Sequence, residues 1–163
     1  MGKIDQIQSR IVDLPSLERM LAIWRFRGET IVFTNGCFDV LHLGHIDYLA
    51  KAADLGGVLI IGLNSDESVR RLKGEDRPVN SESARALVLA SLRFVTAVVL
   101  FGEDTPYELI RTVQPDVLVK GGDYRTNEIV GHDVVTARGG RVVTLDFLPG
   151  YSTSHLIQKI RDH

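Results

Sequence analysis

Five short apolar runs, separated by stretches with helical spacing, constrain this chain more than any other feature. The runs are Thr30-Ile31-Val32-Phe33-Thr34, Val58 to Leu63, Ala97 to Phe101, Asp116 to Lys120 and Arg141 to Leu145. The second is apolar throughout, which suits a parallel strand covered on both faces. Between the runs the spacing turns helical. Leu17, Met20, Leu21 and Trp24 fall at i, i+3, i+4 and i+7, and a helix from Leu43 to Leu55 ends at the C-cap pair Gly56-Gly57. A short helix is predicted over 65–72, and a longer one with Ala84, Leu87, Val88, Leu92 and Val95 on its inner side. Thr105-Pro106-Tyr107-Glu108 reads as a capping box, and a last helix from Ser152 turns Leu156, Ile157 and Ile160 inward. Strands alternating with helices imply right-handed βαβ crossovers. The expected fold is α/β: Rossmann-like, doubly wound, a mainly parallel five-stranded sheet with helices on both faces.

The 163 residues suit one domain, since single cores commonly hold roughly 100–200 residues. We read it as one unit over 1–163, with a helical lead-in over 1–29 and the core over 30–163. A net charge of −2 and only 7% aromatic residues leave no basic, aromatic stripe for nucleic acid. No apolar run approaches the ~20 residues of a membrane span, and MGKIDQIQSR lacks the core of a signal peptide. A single cysteine, Cys37, excludes an internal disulfide and a multi-cysteine metal site. A cytoplasmic protein with no membrane and no nucleic-acid partner is expected.

In open parallel sheets, ligands bind beyond the carboxyl ends of the strands. That rule selects Thr34–His45, Asn64–Arg77, Lys120–Tyr124 and Pro149–Ser154. In the first segment a strand stops at Asn35-Gly36, and His42 and His45 open a helix around Gly44. Helix N-termini favour phosphate, and imidazoles at i and i+3 share a helix face, so both can reach one phosphate group. Two other readings stand at this point. In one the histidines simply flank a helix start; in the other they form a zinc pair, against which the i, i+3 spacing differs from the i, i+4 of helix-borne ligands.

The longer pattern Gly36-x-Phe38-Asp39-x-Leu41-His42-x-Gly44-His45 resembles the signature of the HxGH nucleotidyltransferases, the cytidylyltransferase-like superfamily. Tyr151-Ser152-Thr153-Ser154 resembles the hydroxyl-rich start of that superfamily's final helix. Within it, the chain is similar to the adenylyltransferase domains that make ADP-heptose. The similarity runs through Arg71-Leu72-Lys73-Gly74, Arg77-Pro78-Val79-Asn80, Glu103-Asp104-Thr105-Pro106 and Lys120-Gly121-Gly122-Asp123-Tyr124. The kinase domain that commonly accompanies such a unit is not in this sequence, which reads as a stand-alone version. Leu148-Pro149-Gly150-Tyr151 stands where CTP-dependent glycerol-phosphate relatives carry an arginine, which weighs against CTP; the expectation of ATP rests on the overall similarity.

The resemblance implies transfer of AMP from ATP to D-glycero-β-D-manno-heptose 1-phosphate. It implies His42, His45 and Lys120 as catalytic residues. Nucleotide contacts fall to Thr34, Asn35, Gly36, Phe38, Asp39, Gly44, Gly121, Asp123, Tyr151, Ser152, Thr153 and Ser154. Sugar-phosphate contacts fall to Asn64, Asp66, Lys73 and Arg77, the last two in a loop over 73–78 expected to move. Mg²⁺ is expected to ride on the ATP phosphates without a dedicated protein site, and a homodimer or higher homo-oligomer is expected by analogy. Two other functions fit the same residues: a CTP-dependent transferase for glycerol 3-phosphate, or a nucleotide-binding protein without catalysis.

Overall fold

All five apolar runs fold as strands in the computed structural model, which describes residues 2–162. Met1 and His163, the outermost residues of the expected domain, lie outside the described residues. The strands are β1 (Ile31–Gly36), β2 (Val58–Asn64), β3 (Ala97–Phe101), β4 (Val117–Gly121) and β5 (Arg141–Leu145). Their order is β3-β2-β1-β4-β5, and every neighbouring pair is parallel. The helices are α1 (Lys3–Gln8), α2 (Leu14–Phe26), α3 (Leu43–Ala53), α4 (Asp66–Lys73), α5 (Glu82–Ser91), α6 (Tyr107–Val113), α7 (His132–Ala137) and α8 (Thr153–Arg161).

The sheet carries a core on each face. Leu17 and Leu21 of α2, Ile110 and Val113 of α6 and Val135 of α7 pack on Ile31, Phe33 and Ile60. On the other face, Leu49 and Ala52 of α3 and Ala86 and Leu89 of α5 pack on Val32, Leu59 and Ile61. All seven residues of β2 are buried, as its apolar run requires. Each such side chain contributes roughly 1.5–3 kcal/mol on leaving water. Side-chain caps set four helix starts among the described residues: Asp13 accepts from the Ser16 N–H, Ser65 from Ser68, Ser81 from Ala84 and Ser152 from His155. The outer edge of β3 is covered by the segment before α2, where the Val12 N–H donates to the Val98 carbonyl at 2.9 Å.

Between β1 and β4 the register holds two residue pairs, Val32 with Val117 and Phe33 with Leu118. By contrast β1 stays paired with β2 as far as Gly36–Leu63, and β4 with β5 as far as Gly121–Leu145. The two half-sheets therefore part beyond Phe33. This is also where the strand order reverses, the place at which doubly wound sheets open a ligand crevice.

Several local expectations are corrected. Helix α5 buries Arg85, Ala86, Leu89 and Ala90; Ala84 is exposed, Val88 is 46% exposed, and Leu92 and Val95 lie beyond the helix. The apolar face was misassigned because an arginine occupies an inward position. Helix α6 begins at Tyr107 with Pro106 as its N-cap and no side-chain cap, so Thr105 does not close a capping box. Helix α8 has no fully buried residue, and Ile160 is 66% exposed. Helices α1 and α7 are additional, each of six residues and too short for a clear period.

Arg85 is the one arginine among the fully buried side chains. Its Nε donates to the Asn80 carbonyl at 3.0 Å, and Nη1 donates to the carbonyls of Cys37 (2.7 Å) and Asn64 (2.9 Å). Nη2 donates to Asp66 Oδ1 at 2.8 Å. One guanidinium thus ties the ends of β1 and β2 to the start of α4 and the loop before α5. Replacing Arg85 with alanine strands Asp66 and three carbonyls. Breaking a buried pair from one side costs about 3–5 kcal/mol. Urea unfolding of Arg85→Ala should show a loss of that size; a loss below about 1 kcal/mol would refute the tie.

Candidate active site

The carboxyl end of β1 feeds a tight loop whose backbone is unusual at Phe38, with φ of 43°. Left-handed backbone is uncommon for a bulky residue and is held only where surrounding contacts demand it. Here the ring meets His45 edge-on, with centroids 5.3 Å apart. His42 then occupies the N-cap of α3, one turn before His45. The two imidazoles stack, with centroids 3.8 Å apart and planes inclined by 22°. Gly44 makes that possible: a Cβ there would lie 3.0 Å from the His42 ring and 3.1 Å from Tyr151 Cβ.

Both Nδ1 atoms are buried, and neither has a hydrogen-bond partner among the described residues. Buried imidazole nitrogens normally find partners, so the pair is set for a ligand. Burial holds the His42 pKa below its ordinary 6.5. His45 falls to about 4, through burial first and the proximity of His42 second. Near neutral pH both rings are uncharged, and each carries one N–H to donate.

Asp39, three residues before His42, is buried and fully engaged. Its carboxylate accepts from Arg77 Nε at 2.6 Å and from the N–H groups of Val79 and Asn80 at 2.8 and 2.9 Å. Burial alone would raise its pKa, but the Asn80 and Val79 N–H groups and the Arg77 guanidinium outweigh it, and the net shift is downward. Asp39 thereby fastens the loop over 73–78, expected to be free at Arg77, to the histidine loop. Thr34 shares a 2.7 Å hydrogen bond with Tyr48 Oη in the core beneath.

These elements line a cleft of about 720 Å³ over the parted ends of β1 and β4. Of the residues singled out in the sequence, Asn35, Gly36, Phe38, Asp39, His45, Asn64, Lys73, Arg77, Lys120, Gly121, Thr153 and Ser154 line it. His42 and Gly44 are not among the lining residues, but the His42 ring stacks on His45 and Gly44 lies against the His42 ring. Thr34, Asp66, Asp123, Tyr151 and Ser152 are not among the lining residues. Asp66 serves Arg85, and the Ser152 hydroxyl caps α8 by accepting from the His155 N–H at 3.1 Å. Lys120 ends β4 half-buried, and its pKa is lowered, mainly by burial. Burial also raises the Cys37 thiol, which is therefore protonated near neutral pH.

Sequence reasoning left out part of the wall. Tyr48, Leu72, Glu128, Ile129, Val130 and Phe147 also line the cleft. The one available signal was position, since Glu128–Val130 follow β4 and Phe147 follows β5. No helix among the described residues is long and apolar enough to cross a membrane.

Residues 33–159 match the family described as cytidylyltransferase-like. The Wolinella succinogenes "bifunctional protein HldE" is 56% identical over 154 residues, covering 94% of this chain and 32% of that protein. The protein of the same description from Syntrophotalea carbinolica is 53% identical, covering 96% of this chain and 32% of its own length. The chain thus spans about a third of the length of these curated relatives. Among solved structures, a lipopolysaccharide core biosynthesis protein from Thermoplasma volcanium aligns with a TM-score of 0.61 and 28% identity, over 74% of this chain and 98% of that one. A pantoate-β-alanine ligase from Francisella tularensis shares the fold, with a TM-score of 0.62 at 15% identity over 94% of this chain and 78% of that one.

The stacked, desolvated pair has a measurable signature. NMR titration should place His45 near pH 4 and His42 below 6.5. Because folding depresses both values, stability is fully present above 6.5 and is lost as pH falls toward 4. Adding a triphosphate should raise both values, because it gives the protonated rings a partner. Two ordinary values near 6.5 would contradict this geometry.

Proposed function

The chain belongs to the cytidylyltransferase-like family of nucleotidyltransferases, and from that membership we propose that it transfers AMP from ATP to D-glycero-β-D-manno-heptose 1-phosphate. The products are ADP-heptose, a precursor for lipopolysaccharide or another heptose-containing glycan, and pyrophosphate. The observation that carries the reading is the stacked pair His42 and His45, with two buried, unpartnered Nδ1 atoms at the mouth of α3. The relatives at 53–56% identity support the choice of acceptor. A nucleoside triphosphate substrate and a lone, protonated thiol both suit the cytoplasm.

An oxygen of the sugar 1-phosphate attacks the α-phosphorus of ATP. The bond from that phosphorus to the bridging oxygen breaks, and its electron pair leaves with pyrophosphate. Such a displacement needs positioning and charge stabilisation more than covalent help. His42 and His45 donate to the α-phosphate and bridging oxygens as charge builds there. Lys120 adds a point charge at the end of β4. The first turn of α8, with Thr153 and Ser154 on the cleft, offers free N–H groups to the outer phosphates. Thr153 Oγ1 also donates to the Val40 carbonyl at 3.5 Å, joining this helix to the histidine loop.

Mg²⁺ bound to the nucleotide phosphates would neutralise part of the triphosphate charge. Of the carboxylates on the cleft, Asp39 is bound by three residues and Asp104 accepts from Arg71 Nε at 2.9 Å, which leaves Glu128 uncommitted among the described residues.

Pyrophosphate release, with ATP and CTP each crossed against heptose 1-phosphate and glycerol 3-phosphate, tests the reading. Turnover is expected with ATP and heptose 1-phosphate; turnover with CTP alone would overturn it. His42→Ala should lower kcat by roughly 10²–10³, as loss of one transition-state donor does. An unchanged kcat would remove the histidine from the mechanism.

A further inference from the structure

We propose that Glu128 is the residue through which this protein recognises the hydroxyl groups of its sugar acceptor; the inference rests on the sugar-phosphate reading above. Two residues expected to hold the sugar phosphate are already committed, Asp66 to Arg85 and Arg77 to Asp39. Three carboxylates line the cleft: Asp39, Asp104 and Glu128. Asp39 is saturated by the backbone and Arg77, and Asp104 pairs with Arg71. The Glu128 side chain makes no hydrogen bond or ion pair among the described residues.

The backbone that carries this exposed side chain is nonetheless held in place. Glu128 ends a 3₁₀ turn, and its N–H donates to the Arg125 carbonyl at 3.0 Å. The next residue, Ile129, is 8% exposed and belongs to the core that holds Leu109 and Ile110. Gly131 has φ of 89°, and a Cβ there would come within 2.7 Å of Ile110 Cδ1, so the segment lies directly on α6. A buried neighbour on one side and a close backbone approach on the other hold Glu128 on a rigid wall.

Charge decides what this wall faces. The triphosphate belongs with His45, Lys120 and Ser154. A free carboxylate repels phosphate, so the part of a ligand beside Glu128 is uncharged and donates hydrogen bonds. Sugar hydroxyls meet both conditions, and one carboxylate accepts from two of them at once. Ile129, Val130 and Pro106 line the same cleft and offer apolar surface to the C–H groups of a sugar. The cleft is thereby divided: the phosphates are held by histidine, lysine and helix N–H groups, and the polyol by an acceptor on an apolar wall.

Steady-state pyrophosphate release with the full chain tests this, comparing Glu128→Ala and Glu128→Gln with the unmodified protein. For Glu128→Ala the KM for heptose 1-phosphate should rise roughly 10- to 100-fold, the range for losing hydrogen bonds to a charged group. Glu128→Gln should lose less, while kcat and the KM for ATP stay unchanged. Among acceptors lacking one hydroxyl, at least one should lose a similar factor with the unmodified protein and nothing more with Glu128→Ala. An unchanged sugar KM, an equal rise in the KM for ATP, or recovery on raising Mg²⁺ would overturn the inference and leave nucleotidyl transfer standing. An unmodified protein that neither binds nor turns over any sugar 1-phosphate would overturn both.

Discussion

The guanidinium of Arg85 is the interaction on which the cleft depends. Burying a full charge is expensive unless its donors are met, and here hydrogen bonds meet four of its five N–H donors. Three of the acceptors are carbonyls from three separate chain segments: the loop after β1, the end of β2 and the loop before α5. The carbonyl oxygens of Cys37 and Asn64 sit at the floor of the site. A hydrophobic residue at this position would fill the space but would leave those carbonyls unpaired in a dry interior. The charge is therefore kept for specificity of arrangement as much as for stability.

Asp39 extends the same logic to the next layer. It accepts from Val79, Asn80 and Arg77, while the Asn80 side chain donates back to the Asp39 carbonyl at 2.7 Å. Asn80 thus belongs to both networks, because its own carbonyl receives Arg85. The histidine loop, the loop over 73–78 and the start of α5 form one hydrogen-bonded body beneath the ligand space. The strain at Phe38 is sustained by this body, and the strained backbone aims the phenyl ring at His45.

The five strands and the histidine turn were legible in the sequence because they rest on local signals. Val58 to Leu63 is apolar without a break, and two histidines flank a glycine just beyond a strand; both features survive any tertiary context. The inner face of α5 was not legible. Periodicity scores Ala84 and Val88 as core and Arg85 as surface, and nothing nearby in sequence announces that Cys37, Asn64 and Asp66 will receive an arginine. Glu128 was hidden for a related reason: its segment is irregular, and only Ile129 landing on α6 turns it toward the cleft. Residues with distant partners carry no local pattern.

The stacked histidines also separate two events that charged sites combine. Under the proposed function, an uncharged pair exerts no long-range pull on a triphosphate, so steering of the nucleotide would fall to lysines on the cleft wall, Lys73 and Lys120. Ionic strength then acts on arrival, through the lysines. Once the phosphates have displaced water from the imidazoles, the hydrogen bonds of the bond-breaking step lie inside a short-range, water-poor contact that bulk salt barely reaches. Capture and chemistry thus answer to different properties of the solvent, although their residues lie on the walls of one cleft.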